Sequence, residues 1–410
     1  MLKAVELEIE LFCRGMRIDE SSASHDGRPI GRTRAGLGSG LEIVLTGGRK
    51  KIWVNVPVVE PFAQRSPLVL RRTGDATYVH DERSGIDYPI DIPPEPRWYA
   101  RTTSSDVPMS RIGVLQGNYL GIYVGSRCAY WSDKSALACK FCTTGENVGT
   151  AEERIKSVED VIEVARAARD ESACIFTHFN TGYSFEDRSD RVVTHGLRRC
   201  EPFVRAVRQH VGGFIGVQAV PVLMQEFHEY DALIEAGTDH FSFCYEFENP
   251  EVFAAVCPGK ARTVGQRAFF DAMEYTARKL GRGRVSGEII AGVEPVADTM
   301  RGIDRIVEAG AFPTVCIFRP TLGSGMADVP PPDPSAMREV FAHLYESCRR
   351  AGLPIGVLPI EVSLVVQAEE CAELVEPTQA GARYAFRNRA LRWLATPYVG
   401  WKRRPADCDG

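Results

Sequence analysis

The sequence feature that most constrains the fold is a regular alternation of strand-like and helix-like segments that begins at Tyr119. Six apolar runs are typical of strands, at Tyr119–Gly125, Ala173–Asn180, Gly213–Val220, Asp239–Glu246, Val285–Glu294 and Pro313–Pro320. The stretches between them have the apolar spacing of helices, at 155–169, 189–210, 226–236, 262–280 and 298–309. This alternation predicts an α/β core built on a parallel sheet, either an open doubly wound sheet or a complete or partial barrel. In each case the active site lies at the carboxyl ends of the strands.

The first 110 residues have a different pattern. Two short alternating runs, Leu41–Leu45 and Lys51–Val56, are separated by a Thr-Gly-Gly-Arg turn, which predicts a hairpin. We therefore expect a small β-rich N-terminal module over residues 1–110, followed by a proline-rich linker at Ile92–Arg97. The glycine-rich segment Gly36–Gly40 leads into a strand-like run and does not open a helix, so we interpret it as a flexible loop and not as a nucleotide-binding loop.

The core is expected to span residues 111–330 and to be followed by a C-terminal extension over 331–410. A helix near 335–351, a strand-like run at Pro354–Ile360 and a basic helix from Ala382 are predicted there. The basic helix carries apolar residues on one face, and we expect it to cap the barrel.

Composition limits the choice of partners and of compartment. The chain has 49 basic and 54 acidic residues, a net charge of −5, so neither nucleic acid nor a membrane is expected as a partner, although a local basic patch can be hidden in this average. Sequence alone leaves the oligomeric state open. No run approaches the roughly 18 apolar residues that span a bilayer, and the amino terminus is acidic. A cytoplasmic location is therefore expected.

Three of the 12 cysteines form a cluster directly after the first strand of the core. Cys128, Cys139 and Cys142 are spaced C-x10-C-x2-C, and cysteine clusters of this kind inside the cell indicate zinc or iron–sulfur binding more often than disulfides. A structural zinc site would need a fourth ligand, but the next candidates, Cys174 and His178, lie in the following strand. Three ligands leave one coordination position open, which is typical of a reactive centre.

A three-cysteine loop after the first strand of six β/α units, with Phe141 just before the last cysteine, resembles the radical S-adenosylmethionine (SAM) superfamily. The resemblance covers about residues 110–330 and is greatest to its biotin synthase-like branch, with a weaker similarity to radical SAM proteins of nitrilase gene clusters. The first cysteine interval in that family is most often three residues and here is ten. Because additional loop length costs little entropy, Cys128 can still reach the same centre.

The resemblance implies a partial (β/α)6 TIM-type barrel with the β-rich N-terminal module and the C-terminal helical extension. It implies a [4Fe–4S] cluster on Cys128, Cys139 and Cys142, with SAM on the fourth iron. Two strand-end segments, Phe179–Gly182 and Ser286–Glu294, are similar to family motifs that contact SAM, and they supply Asn180, Thr181, Gly182, Ile289 and Glu294 as expected cofactor-binding residues together with Phe141. Strand alternation places Glu246 at the end of the fourth strand, where it is expected to contact the SAM ribose or amino group. Arg319, at the end of the sixth strand, is a candidate for binding a carboxylate of SAM or substrate.

Several of these assignments have a structural alternative. Gly182 could serve a turn, and Arg319 could form an ion pair with Glu294 or Glu246 and not bind an anion. His178 is interpreted mainly as a structural hydrogen-bonding residue. Val285 stands where biotin synthase has a cysteine that holds a second cluster, so an auxiliary cluster is not expected here.

The function implied by the resemblance is an oxygen-sensitive enzyme that cleaves SAM reductively to a 5′-deoxyadenosyl radical and abstracts hydrogen from a small metabolite in a biosynthetic step. An electron donor such as flavodoxin or ferredoxin is the implied partner. The alternative is a non-catalytic iron–sulfur or zinc-binding protein with a sensory or electron-transfer role, which would need a fourth protein ligand.

Overall fold

The computed structural model describes residues 1–19, 24–25, 28–29, 40–48, 50–125, 127–131, 136–183 and 197–406. Most of the Gly36–Gly40 loop and the first part of the helix predicted at 189–210 lie outside these ranges.

The strands of the described residues are β1 Arg17–Ile18, β2 Ser24–His25, β3 Arg28–Pro29, β4 Leu41–Leu45, β5 Ile52–Val56, β6 Leu68–Thr73, β7 Ala76–Asp81, β8 Ile86–Asp91, β9 Val114–Gln116, β10 Tyr119–Tyr123, β11 Phe176–Asn180, β12 Phe214–Ala219, β13 His240–Glu246, β14 Val285–Ala291 and β15 Phe312–Ile317. The α-helices are α1 Ala4–Arg14, α2 Thr144–Asn147, α3 Val158–Ser172, α4 Glu201–His210, α5 His228–Ala236, α6 Pro250–Val256, α7 Pro258–Thr263, α8 Gln266–Leu280, α9 Val296–Glu308, α10 Pro334–Arg350 and α11 Gln379–Lys402.

The central sheet has strands β10 to β15 side by side in chain order, all parallel, with β9 added antiparallel to the edge of β10. Each of the six predicted strands is therefore confirmed. Sequential parallel strands with helices on one side, open between the first strand and the last, form a partial (β/α)6 barrel. Its strands place their carboxyl ends on one rim, where the cysteine loop leaves β10.

Residues that face the barrel interior can be recognised by their exposure. Along β15 the burial alternates strictly, and Val315 is almost fully buried whereas its neighbour Cys316 is partly accessible. On β14, an added Cβ at Gly287 would lie 2.8 Å from Ile306 of α9, which shows that this position faces the helices and that Glu288 faces inward. The barrel interior is therefore partly open.

The N-terminal residues form a second, six-stranded sheet in the order β1-β6-β7-β8-β4-β5. The predicted hairpin is confirmed, since β4 pairs antiparallel with β5 and Leu41 lies opposite Val56. The β-rich description overlooked α1, whose buried residues Val5, Ile9 and Leu11 join the hydrophobic core.

The structure corrects one prediction for the C-terminal residues. The run Pro354–Ile360 forms no strand, because two prolines interrupt it and its end is held by Asn118. The Asn118 side-chain amide donates to the Pro359 carbonyl (2.8 Å), and the Glu361 N–H donates to Asn118 Oδ1 (2.8 Å). The predicted helix near 335–351 corresponds to α10.

The end of α11 closes the amino-terminal end of the barrel. The N–H of Gly213, just before β12, donates to the Lys402 carbonyl (2.6 Å), and the Lys402 ammonium lies 2.5 Å from Asp239, just before β13. Tyr398 packs on Phe214 and accepts a hydrogen bond from Arg284 (3.0 Å). Helix α11 therefore lies at the opposite end of the barrel from the cysteine loop.

Candidate active site

The three predicted cluster ligands lie on the segment that leaves β10 at the carboxyl rim. Cys139 is buried, whereas Cys128 and Cys142 are partly accessible. The Cys142 N–H donates to the Cys139 carbonyl (3.0 Å), which closes a tight turn between the two cysteines. The N–H of Thr144, the first residue of α2, donates to Cys142 Sγ (3.4 Å). A backbone N–H directed at the sulfur favours a thiolate at this position.

The Cys128 end of the loop is anchored to the segment after β11. The Ala129 N–H donates to the Tyr183 carbonyl (2.8 Å), and the rings of Tyr130 and Tyr183 stack with centroids 4.5 Å apart. An added Cβ at Gly182 would lie 2.5 Å from Cys128 Cβ and 2.6 Å from the Tyr123 hydroxyl. Gly182 is therefore required here by close packing against the first cysteine. This contact brings two sequence-predicted elements of the site together.

Helices α6 and α7 brace the other end of the cysteine loop. The Lys140 N–H donates to the Val256 carbonyl (2.9 Å), and the Gly259 N–H donates to the Leu137 carbonyl (3.0 Å). The Tyr130 hydroxyl is hydrogen-bonded to Thr263. Both helices lie between β13 and α8. The sequence pattern predicted a single helix, over 262–280, between the fourth and fifth strands, so α6 and α7 were not expected.

This brace adds a fourth cysteine that sequence analysis did not assign. Cys257, at the junction of α6 and α7, is fully buried and shares a hydrogen bond with Cys139. This bond, together with the nearby Lys260 ammonium, lowers the pKa of Cys139. Cys257 lies 115 positions after Cys142 in the chain, so no spacing rule could associate the two. Only the fold brings them to one place.

The thiols of the loop fit a metal or cluster in type and location. Burial raises the pKa of Cys128 to about 11. Burial and the neighbouring Cys139 thiolate also raise the pKa of Cys142. Thiols in this state hold their protons until a metal replaces them. In the described part of the chain, no three His, Cys, Asp or Glu side chains are already arranged around one metal position.

Glu246, predicted to contact SAM, ends β13 at the same rim. Its backbone has φ +75°, a left-handed conformation that a glutamate rarely adopts, and β13 shifts its register against β14 between Phe243 and Glu246. The Glu246 carboxylate is buried and accepts a hydrogen bond from the Lys260 ammonium, which also donates to the Cys244 carbonyl (2.8 Å). A strained residue of this kind is commonly found at functional sites.

Asn180 ends β11 and lies beside the Gly182 segment. Its side-chain oxygen is buried and forms no hydrogen bond of standard geometry within the described residues, although the Asn180 side chain lies near enough to the His178 ring to act on the pKa of that histidine. Burying such an acceptor without a partner costs about 1–3 kcal/mol. An N–H donor on a bound molecule would satisfy it, and the SAM amine expected at this segment has the required chemistry. Thr181 follows directly, and its N–H donates to the Gln218 carbonyl (3.2 Å).

The remaining predicted cofactor residues are held by protein contacts. Glu294 accepts hydrogen bonds from the Asn249 N–H (2.8 Å) and the Thr299 hydroxyl (3.1 Å). The Ile289 side chain points to helix α9 and away from the barrel interior. Only the main chain of Ile289 is therefore left to contact a cofactor. The Arg319 guanidinium donates to the carbonyl of Asn55 on β5 (2.7 Å), which ties the N-terminal sheet to the barrel rim. Their roles toward SAM stay predictions.

Phe141 packs edge-on against Phe247, the residue that follows Glu246, with ring centroids 6.2 Å apart. This contact connects the cysteine turn to the end of β13. Cys128, Cys142, Phe141, Gly182 and Glu246 are thus brought to one part of the rim by β10, β11 and β13.

A polar cluster that sequence analysis did not predict lies deeper in the barrel. The Glu288 carboxylate accepts hydrogen bonds from Gln218 and Ser242, and from the Cys244 thiol at 3.5 Å. Burial raises the pKa of Glu288. The alternation of β13 and β14 was the available signal, since it places Ser242, Cys244 and Glu288 on inward positions.

Two buried histidines lie below this cluster. Gly216 leaves room for the His178 ring, since an added Cβ would lie 2.3 Å from that ring. His178 Nδ1 is hydrogen-bonded to the Tyr119 hydroxyl, and burial lowers the pKa of His178 to about 3. His240 is hydrogen-bonded to Ser286 (3.0 Å). These contacts agree with the structural interpretation of His178.

Comparison with known proteins adds distant relatives. No protein-family model matches the chain. A bacteriochlorophyllide c C-7(1)-hydroxylase of Chlorobaculum limnaeum is 23% identical over 255 residues, which are 58% of this chain and 61% of that protein. The match thus spans less than two thirds of its length.

Similar solved structures include a radical SAM methyltransferase from Sphaerobacter thermophilus, with 14% identity and a TM-score of 0.39 over 68% of this chain and 75% of that one. Coproporphyrinogen III oxidase from Escherichia coli, described as a radical SAM enzyme, has 15% identity and a TM-score of 0.36 over 56% and 52%. The chain resembles radical SAM enzymes. Because these likenesses are distant, the roles of individual residues depend on the geometry described above.

Proposed function

We propose that this chain is a radical SAM enzyme that holds a [4Fe–4S] cluster on Cys128, Cys139 and Cys142, binds SAM beside it, and abstracts hydrogen from a small metabolite. The observation that carries the proposal is the packing of Gly182 against Cys128. It joins the cysteine loop to the strand end where the buried Asn180 side-chain oxygen, which forms no hydrogen bond of standard geometry, is available to a ligand.

A [4Fe–4S] cluster held by Cys128, Cys139 and Cys142 would supply one-electron reductive cleavage of SAM, which is the chemistry that allows hydrogen abstraction from a C–H bond. The residues of this chain bind and orient the reactants. The Asn180 amide oxygen accepts an N–H of the ligand, and the Glu246 carboxylate, held by Lys260, offers a second acceptor at the rim. A low-potential donor such as flavodoxin or ferredoxin is the proposed electron source.

The barrel interior is the proposed substrate site. It is partly open, and Glu288, Ser242 and Gln218, with the two histidines below them, give it polar groups. The distant relative is named a hydroxylase, and hydroxylation begins at a C–H bond, which supports hydrogen abstraction as the reaction type. The similarity to the biotin synthase-like branch and a cytoplasmic location stay predictions. No helix in the described residues is both long and apolar enough to cross a bilayer.

Anaerobic reconstitution tests the proposal. We expect about four irons per chain with thiolate-to-iron absorption, and slow formation of 5′-deoxyadenosine from SAM under strong reductant. Alanine at Cys128, Cys139 or Cys142 should abolish both, whereas Cys174→Ala, a buried cysteine outside the loop, should retain both. Protein that holds the cluster, binds SAM and forms no 5′-deoxyadenosine would contradict the enzyme proposal.

One observation favours the alternative of a non-catalytic metal site. Cys257 provides a fourth thiol next to Cys139, so four protein ligands would close the coordination that SAM needs. Zinc or iron retained by four cysteines, together with no measurable SAM binding, would support that alternative.

A further inference from the structure

We propose that the outer face of helix α11 docks the protein on an anionic lipid surface. This inference is independent of the proposed reaction and departs from the expectation, drawn from net charge, that no membrane is a partner.

The large apolar side chains exposed in the described residues are concentrated on this helix. Five of the nine belong to α11, and the four most exposed of these are Phe386 (69%), Trp393 (74%), Leu394 (62%) and Trp401 (52%). The other four are scattered singly over the chain, at Met1, Ile155, Met224 and Val329. Isolated exposed apolar residues are normal, whereas a contiguous group indicates an interaction surface.

The exposed group forms one stripe along the helix. Phe386, Trp393, Leu394, Pro397 and Trp401 recur at intervals of three, four or seven residues, which keeps them on one side over about 22 Å. The opposite side of the helix holds it to the protein. Tyr384 donates to the Leu353 carbonyl (2.5 Å), and Asn388 is buried. The apolar stripe therefore points away from the protein, although the end of this helix caps the barrel.

The positive charge of the helix indicates which kind of partner binds the apolar stripe. From Gln379 to Arg404 the chain has no Asp or Glu, although acidic residues exceed basic ones in the whole sequence. The basic residues of this segment are Arg383, Arg387, Arg389, Arg392, Lys402, Arg403 and Arg404. A basic helix with Trp, Phe and Leu on one face is the pattern that lies in the plane of an anionic membrane surface. A second copy of the same helix would bring like charges together.

Further contacts fix helix α11, and with it the apolar stripe, to the rest of the protein. Lys402 pairs with Asp239, the ring of Tyr398 lies on Phe214, and Arg387 donates to the Gly352 carbonyl (2.9 Å). Because the helix is already folded and fixed, docking requires no ordering of this segment. Docking through α11 would turn the opposite rim, with the cysteine loop, away from the lipid.

The test is cosedimentation of the full chain with vesicles of pure phosphatidylcholine and of an equimolar phosphatidylcholine–phosphatidylglycerol mixture. We expect binding to the anionic vesicles that weakens as salt is raised. Phe386→Ser combined with Trp393→Ser should weaken it on the order of tenfold or more. Arg389→Gln combined with Arg392→Gln should weaken it to a similar degree and reduce the salt dependence.

Ile155→Ser combined with Met224→Ser is the matched control, since it removes two exposed apolar side chains elsewhere and should leave binding unchanged. Equal unfolding temperatures show that the variants are folded. Failure to bind anionic vesicles, or equal binding to both vesicle types, would overturn the proposal. A concentration-dependent dimer that the Phe386/Trp393 variant abolishes, without vesicle binding, would assign the stripe to a second copy and would also overturn it.

Discussion

The ammonium of Lys260 on α7 lies 2.5 Å from Oε1 of Glu246 at the end of β13, and both side chains are buried. Lys260 also reaches the Cys244 carbonyl, so it fixes the strained end of the strand. The same α6–α7 segment supports the cysteine loop through Val256 and Gly259. One ion pair therefore connects the predicted SAM-binding carboxylate to the support of the predicted cluster ligands.

Removing one partner of this pair should be costly. Lys260→Met leaves the Glu246 carboxylate buried and unpaired, and we expect a loss of about 3–5 kcal/mol in the free energy of unfolding. Glu246→Gln should weaken SAM binding with nearly unchanged iron content. The double variant Glu246→Gln/Lys260→Met should be less destabilised than the sum of the single variants, because it leaves no unpaired charge. Urea titration and SAM-binding measurements check these expectations. Equal loss of iron and SAM affinity in Glu246→Gln would indicate a folding defect instead.

Substitution of Cys257 distinguishes a cluster held by three cysteines, with one coordination position open, from a metal held by four cysteines. If three thiolates hold the cluster, Cys257→Ala should retain full iron content and SAM binding, at a cost of about 1 kcal/mol from the lost buried sulfur. Cys139→Ala should lose the cluster. Iron analysis and SAM binding of both variants are the measurement. Parallel loss of iron in both variants would place Cys257 among the ligands and would contradict the open site.

The parallel sheet could be predicted from sequence because its signal is repeated six times, whereas its curvature into a partial barrel was implied by the family resemblance. Five of the six parallel strands follow a helix, so errors at single boundaries do not change the topology. Cys128, Cys139 and Cys142 could be assigned because they are close in the chain. Cys257, Lys260 and Glu288 could not, because their roles depend on neighbours that the fold brings from other strands and helices.

Helix α1 shows how tertiary contacts override a local pattern. The run Val5-Glu-Leu-Glu-Ile-Glu-Leu alternates apolar and acidic residues, as a half-buried strand does. The structure instead buries Glu8 and Glu10. Glu10 is 2.7 Å from Arg14 and 2.9 Å from Arg83, and burial beside Glu370 raises the pKa of Glu8. The ion pairs of Glu10 and the raised pKa of Glu8 allow this helix to be buried. Both depend on residues distant in the chain, so the local sequence does not predict them.

Substitution of Gly182 tests whether its close packing against Cys128 positions the cysteine loop. Gly182→Ala places a methyl group 2.5 Å from Cys128 Cβ, so the loop must move. We expect incomplete iron loading and a loss of about 1–3 kcal/mol in stability. Gly400→Ala, with nothing within 4 Å of the added carbon on α11, is the matched control. It should retain full iron loading and gain up to about 1 kcal/mol from helix propensity. Full iron loading in Gly182→Ala would show that the anchor does not position Cys128.

The two buried histidines of the barrel should make stability depend on pH. Burial lowers the pKa of His178 to about 3 and that of His240 to about 4, whereas a histidine in the unfolded chain titrates near 6.5. Between these values the unfolded chain binds protons that the folded protein does not, so the stability contributed at neutral pH is lost as pH falls. By pH 5 each histidine should lower the free energy of unfolding by about 2 kcal/mol.

Two buried carboxyl groups have the opposite effect on the pH dependence of stability, because they destabilise the folded protein as pH rises. Burial raises the pKa of Glu42 to about 7 and that of Glu370 to about 8, so their contribution is lost as pH rises. The measurement is therefore the difference between variant and parent in urea unfolding at pH 5 and at pH 7.5. His178→Gln should lower the free energy of unfolding at pH 7.5, taken relative to that at pH 5, by about 2 kcal/mol compared with the parent, whether or not the substitution itself is destabilising. His228→Gln, at an exposed position, should leave that difference unchanged. A His178→Gln protein with the parent's pH dependence would show that His178 takes up a proton as readily in the folded barrel as in the unfolded chain.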